Sequence, residues 1–208
     1  MSQSVDDVSL ITNLNINEYF HDAIHDAISH QRVGLNDETV VYIVNLLTYY
    51  ALSENIFEKD IEGTSSKPLA FIYKDAVEAQ SLEERNTHLR RLGDVALFTS
   101  GFFPASLEGA AVGVDYFISM GGNAYSSLAD RVPRTIPDKN LHEVFTDLAE
   151  HFISYVDVLT EVSESSELND DRDVLSLYES WLSTGSDYAR QRLQEQGVLT
   201  FPSSHNKH

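Results

Sequence analysis

The chain contains no cysteine, which removes disulfides, thiolate metal sites and cysteine nucleophiles together. Basic residues are scarce: 14 lysines and arginines face 33 aspartates and glutamates, a formal charge of −19 over 208 residues. Nucleic-acid binders concentrate Lys and Arg against phosphate, so nucleic acid is not an expected partner. An anionic membrane surface repels such a chain for the same reason. No run approaches the 18 apolar residues of a membrane-spanning helix. The first fifteen residues, MSQSVDDVSLITNLN, have neither a basic nor an apolar signal region, so a cytosolic protein is expected.

Motifs are missing too. There is no GxxxxGK[ST], the GGNAY segment follows no strand, and no GxSxG is present, so phosphate-loop and serine-triad chemistry have no footing. The acidic stretch 157–173 (Asp157, Glu161, Glu164, Glu167, Asp170, Asp171, Asp173) lacks the glycine and terminal glutamate of an EF-hand and reads as a solvated connection. Five prolines, ten glycines and no repeat of 20–50 residues exclude collagen-like, linker-rich and solenoid architectures. No cofactor is implied.

What is present describes a globular helical protein, 42% hydrophobic and 10% aromatic. Apolar residues recur with helical spacing and no period-2 series stands out. The expected fold is all-α: a compact single-domain bundle of seven or eight helices over 1–200, with 201–208 a disordered tail. The first helix covers 16–31, burying Ile16, Phe20, Ala23, Ile24, Ala27 and Ile28. The second, 37–54, is apolar nearly all round and is expected at the centre. After a connection over 55–66, Pro68 suits the opening turn of a helix over 67–80. Ser81 and Glu84 form a capping-box pattern for a helix to about residue 100, with Gly101 and Pro104 as stop signals. Further helices are expected over 113–130, 139–162 and 171–183, the last holding Trp181, and Gly185-Ser186 permits one short final helix. Pro133 and Pro137 bound a rigid loop between the first two of these.

Candidate functional residues concentrate in 85–129. Asp94 stands in an otherwise apolar stretch, and a buried carboxylate must be paired, hydrogen-bonded or protonated. Arg90 and Arg91 lie one turn back, the weaker order for a helical ion pair, so a partner from another element is expected, a tyrosine hydroxyl or a helix N-terminus. Gly121-Gly122 interrupts the stripe Val114, Phe117, Ile118, Gly121, Tyr125 and Leu128; a glycine inside a helix costs about 1 kcal/mol, which backbone-to-backbone proximity would offset. Asp115 suits an N-cap or first-turn acid. Arg91, Asp94, Asp115, Tyr116 and Tyr125 are therefore the candidate polar pocket, with a purely structural clasp as the simpler reading of Asp94. The adjacent pairs Tyr49-Tyr50, Phe102-Phe103 and Tyr116-Phe117 cannot place both rings on one helical face.

Glu18, His21 and His25 are the weak metal candidates, with i, i+3 and i+7 spacing on one helix. A ferritin-like centre needs a second Glu-x-x-His, and none exists. Asp147–His151 and Glu84–His88 are i, i+4 pairs of an ordinary surface kind. With no catalytic motif, the leading expectation is a non-catalytic interaction or regulatory protein, self-associating or bound to a protein partner carrying basic residues. The alternative is a helical-bundle enzyme or small-ligand or metal carrier using the pocket near Asp94 and Asp115.

Overall fold

A computed structural model describes residues 3–52, 68–107, 112–131, 139–166, 174–198 and 200. The described residues are all-helical, in nine α-helices and one 3-10 turn. The expected connection 55–66, the proline-bounded loop and the tail lie outside the described residues.

Helix α1 (Gln3–Gln31) buries Phe20, Ile24 and Ala27, the expected face. It ends by a left-handed residue, Arg32, at φ 57°, and the Val33 amide bonds back to the Ile28 carbonyl at 3.3 Å. That is the Schellman closure, with arginine where glycine is favoured, a conformation costing an L-residue about 1–2 kcal/mol. Helix α2 (Asp37–Leu52) starts under Asn36, whose side-chain oxygen accepts the Glu38 amide at 2.8 Å. One face of α2 is exposed, Val41 at 55% and Tyr49 at 65%, which corrects the expectation of a helix buried all round.

Pro68 immediately precedes α3 (Leu69–Glu78). In α4 (Leu82–Phe102) the Ser81 hydroxyl accepts the Glu84 amide at 3.1 Å, while the Glu84 carboxylate accepts the Gln80 amide at 2.8 Å. This is a capping box with its return bond displaced by one residue. Gly101 does not stop α4. It lies inside the helix, where an added Cβ would meet Leu159 Cβ at 2.6 Å. Pro104 opens the 3-10 turn Pro104–Leu107 instead.

Helix α5 (Val114–Ala129) matches the expected span. The expected helix over 139–162 is two, α6 (Lys139–Glu150) and α7 (Phe152–Ser165), broken at His151 (φ −114°, ψ 25°). Hydrogen bonds bridge the break, from His151 N–H to Asp147 O and from Tyr155 N–H to His151 O. The change of direction divides one amphipathic stripe between partners: α6 packs on α5 and α2, α7 on α4 and α1.

Helix α4 is central, packed by α3, α5 and α7. Leu89, Leu92, Ala96, Leu97, Phe98 and Phe102 of α4 belong to the main core. Helices α8 (Val174–Thr184) and α9 (Asp187–Glu195) form a hairpin through Gly185 at φ 74°. Leu177, Ala189 and Leu193 make a second, smaller cluster there, with half-buried Trp181 and Val198 against it.

Candidate functional site

The α4–α5 crossing depends on missing side chains. A Cβ on Gly93 would meet the Tyr125 ring at 2.6 Å, and one on Gly121 would collide with the Phe152 ring and reach Ala96 Cβ at 2.9 Å. The glycines admit aromatic rings rather than another backbone, which corrects the expected reason for them. Gly122 has only an ordinary 3.9 Å neighbour, so crowding does not explain it.

With its ring against Gly93, fully buried Tyr125 points its hydroxyl at the next residue of α4. It donates to Asp94 Oδ1 at 2.8 Å, and Tyr42 from α2 donates to the same oxygen at 2.5 Å. Arg90 Nε stands 3.8 Å from Asp94 Oδ2, donates to the Tyr42 hydroxyl at 3.0 Å and lies over the Tyr42 ring at 5.1 Å. Burial pushes the Asp94 carboxyl above its usual range, and the two tyrosine hydrogen bonds and Arg90 pull against that shift. Burial and the neighbouring Asp94 both raise Tyr42 and Tyr125, so the phenols keep their protons and donate. Chemically this is a clasp joining α2, α4 and α5, with two hydrogen bonds on Oδ1 and the Arg90 charge beside Oδ2.

The clasp floors a cleft of about 690 Å³ between α2 and α4. Tyr42, Asn45 and Tyr49 line one wall, and Thr87, Arg90 and Arg91 the other. Arg91 is exposed and has no hydrogen bond or ion pair among the described residues. Thus Arg91, Asp94 and Tyr125 come together. Asp115 and Tyr116 do not: they precede Tyr125 by ten and nine residues on α5, about 15 and 14 Å along its axis. Asp115 is an exposed first-turn acid behind an N-cap glycine, and Tyr116 packs with Phe117 against the core. Tyr42 and Arg90 complete the site. The tyrosine was detectable as the only hydroxyl-bearing aromatic inside the apolar run VVYIVNLL.

The histidine set stays apart. His21 and His25 rings lie 4.4 Å apart, Glu18 is exposed, and no three His, Asp or Glu side chains gather as metal ligands among the described residues. Asp147 accepts from His151 at 2.8 Å and also from the Tyr155 hydroxyl, a short bond.

A second polar cluster lies where the sequence reads as a solvated connection. Asp157, Glu161 and Glu164 are in α7, and Asp157 is buried. Asp157 accepts from the Ser186 hydroxyl at 2.6 Å and the Tyr188 amide at 3.2 Å, while Ser186 itself caps α9 through the Ala189 amide at 2.9 Å. Burial holds the Asp157 carboxyl up at about 6, against these hydrogen bonds. Glu161 accepts from Gln31 at 2.7 Å and pairs with His30 at 2.8 Å, and the Tyr188 hydroxyl donates to Glu164 at 2.5 Å. These partners come from α1 and α9, more than 20 residues away, and no local spacing announces them. Glu167, Asp170, Asp171 and Asp173 lie outside the described residues.

No protein-family model matches the chain, and no curated protein or solved structure is significantly similar to it.

Proposed function

We propose that the chain is a non-catalytic interaction protein of the cytosol, a single domain that recognises a partner or a second copy of itself through the α2–α4 cleft. The observation that carries this reading is the clasp itself. Tyr42 and Tyr125 both donate to Asp94 Oδ1, and the Arg90 charge stands 3.8 Å from Oδ2, so Asp94 ties α2, α4 and α5 together and holds the cleft floor in place. Above it, Arg91 and Tyr49 supply the residue types that dominate recognition surfaces. Val41 on α2 and Phe71, Tyr73 and Val77 on α3, outside the cleft lining, are further exposed apolar side chains. The −19 charge suits a partner that is basic outside the cleft.

Purification of the tagged chain from its native cell, beside an Arg91→Glu variant, tests this. A partner held by the wild type and lost from the variant is expected, or a dimer that becomes monomeric. Recovery of the wild type alone and monomeric at every salt concentration overturns the reading.

One observation favours the rival, a small-ligand carrier or enzyme: the raised proton affinity of Asp94 at the edge of a cleft. Asp94→Asn separates the two. Under the interaction reading the clasp is structural, and the substitution lowers stability by about 1–3 kcal/mol. Under the rival, binding or turnover falls while the melting temperature stays nearly unchanged.

A further inference from the structure

A second cleft, of about 580 Å³, opens between the end of α1, α7 and the start of α9. It is separate from the α2–α4 cleft and shares no lining residue with it. Its carboxylates are already matched: Asp187 pairs with Arg190 at 2.8 Å, and Asp157 holds the Ser186 hydroxyl and the Tyr188 amide. Glu161, just behind, holds His30 and Gln31. Arg32 is the exception. It lines this cleft, is exposed, and has no hydrogen bond or ion pair among the described residues.

Arg32 is also the only described non-glycine residue at positive φ. A positive charge at a helix C-terminus is favourable, which accounts for a basic residue near the end of α1. It does not account for a basic residue at the left-handed position, where glycine closes the helix without strain and another site in the last turn serves the dipole equally. Strain retained at one residue whose side chain enters a polar cleft is a mark of use. The guanidinium offers a planar fork of donors that fits a carboxylate or a phosphate.

We propose that this cleft binds a small oxyanion-bearing molecule, a carboxylate or a phosphate, through Arg32. The experiment titrates the isotopically labelled full-length chain with sodium phosphate and, separately, with sodium citrate, at constant ionic strength set by chloride, following the amides of Ser154, Gly185 and Gln191. Saturable shifts at these amides with one of the two anions are expected, and which anion saturates identifies the group. Arg32→Gln keeps the strained backbone and loses the charge, so binding weakens at least tenfold and the melting temperature falls only by the small cost of the lost helix-end charge. Arg32→Gly weakens binding as much but melts about 2–4 °C higher than Arg32→Gln, because both lose the charge and only the glycine loses the strain. Shifts that do not saturate with either anion, or that persist unchanged in both variants, overturn the proposal. So does an Arg32→Gly chain that melts no higher than Arg32→Gln, since that removes the strain on which the assignment stands.

Discussion

Gly121 and Gly122 are chemically identical neighbours with opposite expected responses to a methyl group. At Gly121 the new Cβ would enter the Phe152 ring and press on Ala96, and neither neighbour is the loose end of a flexible chain. Gly121→Ala is expected to cost about 1–3 kcal/mol by overpacking. At Gly122 the space is ordinary and the residue sits mid-helix, so Gly122→Ala is expected to gain about 0.5–1 kcal/mol. Urea denaturation of both variants checks the contrast. For the clasp, Tyr42→Phe and Tyr125→Phe each strip a donor from the same Asp94 oxygen and are expected to cost about 1–3 kcal/mol. Because they share that oxygen, the double variant should deviate from additivity by more than 0.5 kcal/mol in a denaturation cycle. That Asp94 needs a polar partner from another element, a tyrosine hydroxyl or a helix N-terminus, was readable from its apolar surroundings. That the glycines make room for rings was not, since the rings approach from residues 32 and 31 positions away.

Element by element, what is local in origin was legible: the Ser81 start, the Pro68 entry, the glycine-serine turn before α9, and the buried stripe of α1. The break at His151 was not, because hydrophobic periodicity runs through it and only the division of neighbours between α6 and α7 reveals it. Asp157 was hidden for a related reason: its partners belong to the start of α9. This contact between elements carries a pH dependence. The folded carboxyl titrates at about 6, above an unfolded value of about 3.9, so the folded state keeps its proton to higher pH. The associated stabilisation is complete below about pH 4 and is lost as pH rises through 6. Asp157→Asn removes this term. Denaturation of both chains at pH 4 and pH 7 should therefore show the variant improving relative to wild type by about 2–3 kcal/mol on going to the higher pH. A gap that stays constant across that window contradicts the assignment.

At the level of the whole molecule, the all-helical class followed from periodicity alone, and the described residues hold nine helices against the expected seven or eight, one of them added by the break at His151. The distribution of apolar contacts did not follow from it. The α8–α9 pair keeps its own small cluster of Leu177, Ala189 and Leu193, and meets the main body where α8 lies against α5 and where α9 is fastened to α7 through Asp157, Glu164 and hydroxyl groups. Polar fastening resists separation less than buried hydrocarbon does. Deuterium uptake followed over hours should then fall into two classes, with amides of α8 and α9 exchanging through a sub-global opening while α4 and α5 wait for the whole chain to come apart. The protein would behave as a durable trunk carrying a tethered pair of helices that lifts off and reseats on its own timescale.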